Sequence, residues 1–316
     1  MTTGTGMTLR DRVPPRSFLF VPGDRPGRLA KALDREADAL ILDLEDSVAP
    51  ADKDKARANV AAFLRDCGRM RDRAQLIVRV NGLTTGLIDR DLAAVIPGTP
   101  DAVFLPKAEG GASVIHLDAK LAVQEALAAL ADGAVGIHAL ATETASAVLA
   151  TSSYAGCSPR LAGLAWGGED LSAALGARNM RDDSGGLTDT FRLARSLCLI
   201  GAAAANVQAI DAVETDFRDL QRLRQACLAA WRDGFTGKLA IHPAQVPVIN
   251  ECFQPSAEEL ARARALVSAF EQAEGKGAIA IDGVMQDVPH LEKARRLLAR
   301  HAALPAAHGK RDVRSS

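Results

Sequence analysis

Aromatic residues make up only 4% of this 316-residue chain, with a single tyrosine and two tryptophans. An all-β sandwich relies on aromatic and β-branched side chains to fill its interior, so that class is disfavoured. Cysteine is also scarce. Cys67, Cys157, Cys198, Cys227 and Cys252 are odd in number, far apart and form no CxxC. They point to neither a disulfide framework nor a zinc site, and they read as ordinary buried or half-buried thiols. Excess charge of one sign is missing too: 38 Lys+Arg against 39 Asp+Glu leave a net charge of -1. That argues against a basic face for nucleic acid, and no nucleic-acid partner is expected. No uncharged apolar run reaches the roughly 18 residues of a membrane span, so no membrane partner is expected either. Met1–Pro15 runs Thr/Gly and then Arg/Asp/Pro. It lacks the apolar centre of a secretion signal, and the expected location is cytoplasmic.

What is present is the balance of a globular protein, 48% hydrophobic and 24% charged, with abundant alanine suited to tight helix-on-sheet packing. Eight short runs are apolar almost throughout: Ser17–Val21, Ala39–Leu44, Gln75–Val80, Ala102–Leu105, Val135–Leu140, Leu161–Trp166, Val207–Ile210 and Leu239–Ile241. Parallel strands covered on both faces have this pattern. Helix-period segments alternate with them: Leu29–Arg35, Lys53–Arg65, Gly86–Val95, Ser113–Leu130, Thr144–Ser153, Leu171–Leu175, Thr188–Ala203 and Phe217–Trp231, then Pro243–Glu251 and Ala257–Glu274. Asp52, Thr215-Asp216 and the partial capping box Ser256-Ala257-Glu258-Glu259 mark helix entries. Eight strand–helix units in sequence predict an α/β fold, a TIM (β/α)8 barrel. A doubly wound sheet is the alternative, but no GxGxxG follows a strand, and the count of eight favours closure. The barrel and its last helices are expected over residues 16–274. Flexible tails are expected at 1–15 and from Ala302 to Ser316.

A barrel places its chemistry where strands end and the following loops begin. Those ends read Pro22-Gly23-Asp24-Arg25-Pro26-Gly27, Asp43-Leu44-Glu45-Asp46-Ser47, Arg79-Val80-Asn81, Pro106-Lys107, Thr142-Glu143-Thr144, Gly167-Gly168-Glu169-Asp170, Asp211 and His242-Pro243. Helix caps and rim salt bridges account for any one such carboxylate, but carboxylates recur at most of the ends. Glu143 and Asp170 form the best metal pair. They lie 27 residues apart in sequence, on what would be neighbouring strands about 4.8 Å apart. Carboxylates that close repel unless a cation or proton intervenes. With no Cys or His beside them the ligand set is all oxygen, which favours Mg2+ or Mn2+ completed by water and substrate oxygens. Gly167 and Gly168 would allow close approach to the backbone. Arg79 is the best anion clamp, with a salt bridge to Glu45 or Asp46 as the alternative or added role. Gly23–Gly27, with Arg25 at a helix start, suits a phosphate but also makes a plain turn. Gly234–Lys238 only imitates a phosphate loop, because its spacing is wrong and a strand follows. His242 reads equally as a base or ligand and as a packing residue.

These strings together resemble the citrate lyase β-subunit-like proteins of the HpcH/HpaI aldolase group of CoA-ester lyases. The resemblance rests on Arg16–Gly23, Ile41–Val48, Val78–Asn81, Leu105–Lys107, Thr142–Thr144, Gly167–Asp170 and Ala240–Pro243, in family order. It implies a TIM barrel, Mg2+ held by Glu143 and Asp170, and Arg79 on the substrate. Glu45 and Asp46 would act through waters, and Gly168 would lie beside the substrate. Contacts to CoA are expected at Arg16, Phe20, Arg25, Lys31, His242 and Pro243. Gly283–His290 resembles the G-x-M-[hydrophobic]-D-x-P segment of malyl-CoA and citramalyl-CoA lyases. There the Asp is a catalytic acid/base delivered on a neighbouring subunit's C-terminal lid. Asp287 matches it, with polar Gln286 as a departure; a plain helix-capping aspartate is the alternative. The resemblance therefore adds a C-terminal lid extension, with its helix, over residues 275–301, and a homotrimer or hexamer exchanging lids.

The implied activity is a carbon–carbon (oxo-acid) lyase cleaving a short β-hydroxyacyl-CoA to an acyl-CoA and a 2-oxo acid through an enolate. Its substrate would be malyl-, citramalyl- or citryl-CoA, with CoA as part of the substrate. The alternatives are thioester hydrolysis at the same site, a citryl-acyl-carrier lyase subunit, and a non-catalytic CoA-ester-binding protein.

Overall fold

A computed structural model describes residues 13–67, 74–273, 276–281 and 283–303. Eight parallel strands close into a barrel in chain order. They are β1 (Ser17–Pro22), β2 (Ala39–Asp43), β3 (Gln75–Arg79), β4 (Ala102–Leu105), β5 (Gly136–Leu140), β6 (Leu161–Ala165), β7 (Gln208–Asp211) and β8 (Gly237–Ala240). Every one lies within two residues of an expected run. Closure is between β1 and β8, with Ser17 opposite Lys238 and Leu19 opposite Ala240. The helices between them are α1 (Pro26–Ala32), α2 (Lys53–Cys67), α3 (Ile88–Val95), α4 (Gly111–Leu127), α5 (Ala145–Leu149), α6 (Gly168–Leu175), α7 (Asp189–Ala204), α8 (Leu220–Asp233) and α9 (Gln245–Cys252).

The strands bury both faces, and their period of two divides the core into two layers. Leu40, Leu42, Leu76 and Val78 face the helices. Ala39, Ile41, Ile77 and Phe104 fill the barrel interior. His138 joins that interior and stacks on Phe104 at 6.1 Å. Burial alone pushes its imidazole down to about 4, so it is neutral. The same alternation continues upward. Asp43 and Arg79 follow Ile41 and Ile77 by two residues and are paired across β2 and β3. They therefore point inward at the C-terminal mouth of the barrel.

The chain divides into two compact units between Phe253 and Gln254. The second contains α10 (Ala257–Gln272), α11 (Val288–Ala303) and an antiparallel hairpin of β9 (Ala278–Ile281) and β10 (Val284–Asp287). Helix α10, grouped with the barrel in the sequence reading, packs instead on α11. It opens with a complete capping box: Ser256 Oγ accepts from Glu259 N–H at 3.1 Å, and Glu259 Oε2 accepts from Ser256 N–H at 2.8 Å. The hairpin was not expected: β9 is the short apolar run Ala278–Ile281, which the sequence reading left within the lid, and its residues alternate between exposed and half-buried. Gly283 supplies the left-handed residue of its turn, at φ +77°. Of the expected tails, residues 1–12 and 304–316 lie outside the described residues, as does Glu274. Among the described residues no helix is long and apolar enough to cross a membrane.

Candidate active site

The mouth of the barrel is organised by a chain of ion pairs. Arg79 Nε and Nη2 donate to the two Asp43 oxygens, each at 2.7 Å, and Nη1 lies 3.0 Å from Glu45 Oε2. The guanidinium also sits 4.7 Å over the Phe20 ring. Burial opposes a charge on Arg79, yet the Asp43 bonds and Glu45 hold it firmly protonated. Asp43 is buried as well, and Arg79 keeps its carboxyl below the usual carboxylate range. The expected alternative partners of Arg79 were Glu45 or Asp46; the structure gives Asp43 and Glu45. Asp43 also accepts from the backbone N–H groups of Glu45 and Ser47 at 2.9 and 3.1 Å, which fixes the β2 loop. Asn81, at the end of β3, ties Leu44 O to buried Asp91.

Glu45 continues the chain to Lys107, whose Nζ lies 2.6 Å from Glu45 Oε1, 3.5 Å from Asp46 and 4.0 Å from Asp170. Lys107 has a left-handed backbone at φ +52°. That turn aims its own N–H at Glu143 Oε2. One residue thus serves Glu143 by its backbone and Glu45 by its side chain.

Glu143 follows β5 and is buried, whereas Asp170 stands on the first turn of α6 and is 40% exposed. Burial, reinforced by the charges of Asp170 and Glu45 and opposed by the Lys107 N–H, pushes Glu143 up to about 8. An ionised carboxylate here needs a cation. Gly167 makes the geometry possible, since a Cβ on it would lie 2.7 Å from Glu143 Cγ. At Gly168 a Cβ would lie 2.8 Å from Met180 Sδ and 2.9 Å from the Trp166 ring. Among the described residues no cluster of three or more His, Cys, Asp or Glu forms a protein cage for a metal. Two hard oxygen ligands with open surroundings fit Mg2+, which retains several waters. Glu143 and Asp170 line both a cavity of about 600 Å³ over the barrel mouth and a second of similar volume beside Lys107 and Thr144.

The cavity over the barrel mouth has a mixed lining. Phe20, Leu140, Trp166 and Val213 form apolar wall, with the charged residues Asp43, Arg79, Glu143, Glu169 and Asp170 beside it. At another edge stand Arg28, Lys31 and Arg35, from α1 and the turn after it. Lys31 and Phe20 were expected near CoA; Arg28 and Arg35 were not. Arg25 is outside the lining and pairs with Asp24 at 3.2 Å. Gly23 packs the loop on β2, where a Cβ would meet Asp43 O at 2.7 Å. His242 and Pro243 do line the cavity. The His242 ring stacks on Phe217 at 4.7 Å.

Arg16 requires a correction. It precedes β1, at the N-terminal face of the barrel, where Nε and Nη2 hold the two Asp38 oxygens at 2.7 and 2.9 Å. Its Nη1 donates to Asn250 O at 3.2 Å. It closes the barrel floor and is not available to a ligand at the mouth. Two strand-end residues also turn out to be structural. Asp211 is bound by Lys238, Trp166 and Arg195 at 2.6, 2.7 and 3.0 Å. Lys238, the last residue of the false phosphate loop, is thereby consumed.

Asp287 lies in the second unit, at the end of β10, and is 37% exposed. His290, on the first turn of α11, contacts it through Nδ1 and Oδ1 at 2.5 Å.

Fold and site together define a TIM-barrel protein with a buried Glu143 and a half-exposed Asp170 at the barrel mouth, flanked by an arginine. The chain belongs to the HpcH/HpaI aldolase/citrate lyase family, whose family model matches residues 16–243. It is 36% identical over 298 residues to a (3S)-malyl-CoA thioesterase of Cereibacter sphaeroides, covering 93% of this chain and 96% of the relative. It is 33% identical over 302 residues to the mitochondrial citramalyl-CoA lyase of Mus musculus, covering 90% and 86%. The crystal structure of the protein CitE from Mycobacterium tuberculosis, in complex with magnesium, acetoacetate and coenzyme A, matches with a TM-score of 0.74 and 37% identity. It covers 93% of this chain and 100% of that one.

Proposed function

We propose that the protein cleaves, and in reverse forms, a short β-hydroxyacyl-CoA of the malyl-, citramalyl- or citryl-CoA kind. The products are an acyl-CoA and a 2-oxo acid. The observation that carries this is the buried Glu143, paired with Asp170 and placed with Arg79 on one cavity whose edge is basic. The solved relative with magnesium and coenzyme A supports the same substrate class.

In cleavage the substrate hydroxyl loses its proton and the C–C bond breaks. The bonding pair passes into the thioester enolate, whose carbon then takes a proton. Mg2+, or Mn2+ in its place, held by Glu143 and Asp170, would supply Lewis-acid polarisation of the 2-oxo acid oxygens. Arg79 offsets negative charge on the enolate oxygen, and its two Asp43 bonds fix its plane before substrate arrives. Glu45 and Asp46 hold Lys107, which supports Glu143 from its backbone. Arg28, Lys31 and Arg35 meet the CoA phosphates. Asp287, on the lid of a neighbouring subunit, gives the enolate its proton or takes it in condensation.

Such lid exchange needs a homotrimer or hexamer. Ile115, Val123 and Leu127 leave an exposed apolar stripe on α4, the kind of surface a second copy covers. Mixing inactive Arg79→Ala and Asp287→Ala subunits should restore activity; verified mixed oligomers without rescue would refute the exchange. The cytoplasm fits the substrate, because CoA esters are made and used there. Thioester hydrolysis is the second reading, favoured by the thioesterase among the relatives. A panel of malyl-, citramalyl-, β-methylmalyl- and citryl-CoA separates the two. Cleavage yields a 2-oxo acid with acyl-CoA, whereas hydrolysis yields free CoA. Turnover of none of them, with Mg2+ present, would overturn the proposal.

A further inference from the structure

Asp287 has a partner that the proton-transfer role needs. An unperturbed aspartic acid is only about 0.1% protonated at pH 7. A lone exposed carboxylate is therefore a poor source of the proton that an enolate carbon must receive. In the second unit β10 ends at Asp287 and α11 begins at Val288, which swings His290 back over the carboxylate. Nδ1 of His290 lies 2.5 Å from Oδ1 of Asp287, closer than the Asp287 N–H at 3.3 Å, and the nitrogen can serve only one of the two at a time. An imidazole nitrogen offers a lone pair or a hydrogen, never both. A bare lone pair facing a carboxylate oxygen at 2.5 Å would repel it. The contact therefore holds a proton between Oδ1 and Nδ1.

The surroundings leave this pair to itself. β9, paired with β10, carries no charged side chain over Ala278–Ile281. On α11 the next charged groups are Glu292, Lys293, Arg295 and Arg296, and Glu292 is taken by Arg295 at 3.2 Å. Helix α10, packed on α11 and β9, carries Glu258, Glu259, Arg262, Arg264 and Glu271. Among the described residues neither Asp287 nor His290 bonds to any of these.

We propose that His290 is a positioning residue for Asp287, fixing its carboxylate and storing its proton, so that the lid presents a carboxyl–imidazole pair. This rests on the lid role of Asp287 proposed above. In cleavage the substrate hydroxyl proton leaves to solvent as the C–C bond breaks. The proton held between Oδ1 and Nδ1 then passes through Asp287 to the enolate carbon, whose electron pair forms the new C–H bond. The pair is left as carboxylate and neutral imidazole, and water returns a proton to the imidazole before the next turnover. Condensation runs these steps backwards. The imidazole also holds the Asp287 carboxyl below its ordinary value through their hydrogen bond.

His290→Gln in the full-length protein is the test, because glutamine keeps an amide that can donate to the Asp287 carboxylate but cannot carry a proton. Expected are a kcat loss of roughly tenfold or more with KM changed less than about threefold, and loss of the imidazole limb of the kcat–pH profile. A second readout needs no turnover. In a protein with 13C-labelled histidine rings, the signal missing from His290→Gln should change in Asp287→Asn, because the carboxylate no longer faces Nδ1. Unchanged kcat and pH profile in His290→Gln, or an unchanged His290 ring signal in Asp287→Asn, would overturn the proposal and leave a helix cap. If Asp287→Ala is itself fully active, the lid reading fails first. If Asp287→Ala is inactive and His290→Gln behaves as wild type, only the His290 proposal fails.

Discussion

Gly167→Ala is the sharpest probe of the candidate metal site, because it adds one methyl group and nothing else. Gly167 has φ -117° and ψ 105°, a region alanine occupies freely. No backbone strain is therefore introduced. The new Cβ would stand 2.7 Å from Glu143 Cγ. An ordinary carbon–carbon contact is about 3.5–4.0 Å, so roughly 1 Å must be found. Glu143 has little room to yield: it is buried at 2% exposure and its Oε2 is held by the Lys107 N–H. Overpacking of this kind costs about 1–3 kcal/mol of stability. A 1 Å misplacement of a reacting group costs on the order of 100-fold in rate. The expected result is a folded protein with a lowered Tm, weakened Mg2+ binding and kcat/KM down about 100-fold. Calorimetric Mg2+ titration, thermal unfolding and cleavage of the best CoA ester measure the three. Gly27→Ala is the control, since a Cβ there meets nothing within 4 Å. A Gly167→Ala protein with wild-type Mg2+ affinity and turnover would show that Glu143 does not hold the metal.

Asp43→Asn should remove one member of a buried pair and leave Arg79 short of a counter-charge, at about 3–5 kcal/mol. A Tm fall on the order of 10 °C with loss of turnover is expected; an unchanged Tm would mean Glu45 alone suffices. Glu143 carries a pH signature in the metal-free protein. Its pKa is raised from 4.5 to about 8 on folding, so the folded chain holds a proton that the unfolded chain has released between those values. Stability should therefore fall as pH rises through that window, and Glu143→Gln should flatten the slope; an identical slope in the variant would refute the assignment. Added Mg2+ should raise Tm more at pH 8 than at pH 6, because protons compete for the same oxygen. Arg28→Ala with Arg35→Ala should raise KM roughly tenfold for the CoA ester but not for a short thioester lacking phosphates. Equal effects on both substrates would remove the phosphates from the account.

The strands were legible because parallel barrel strands are buried on both faces, and apolar runs such as Ala39–Leu42 need no partner to be recognised. Glu143, Arg79 and Asp170 stood out for the opposite reason, as charge placed directly after such runs. Asp43 was passed over as a ligand holder because it is the last residue of its strand, where the sequence shows only that a polar residue begins a loop. Nothing in the residue type announces that Lys107 adopts a left-handed backbone, so its bond to Glu143 had no sequence signal. Arg28 and Arg35 look like the solvated face of a short helix until the barrel turns that face toward the mouth. Arg16 was misplaced by the continuity of the string Arg16–Gly23. Strand direction alone puts the residue before β1 at the floor and the residues after it at the mouth.

The boundary between Phe253 and Gln254 acquires an evolutionary meaning when set beside the family match, which ends at residue 243. That match covers the barrel with Arg79, Glu143 and Asp170, while the thioesterase and lyase relatives align over 93% and 90% of this chain and so reach into the second unit as well. Asp287 and His290 lie beyond the family match, in the second compact unit. On the reading developed above, substitutions confined to the second unit could change the fate of the enolate. The bond-breaking machinery would be inherited unaltered.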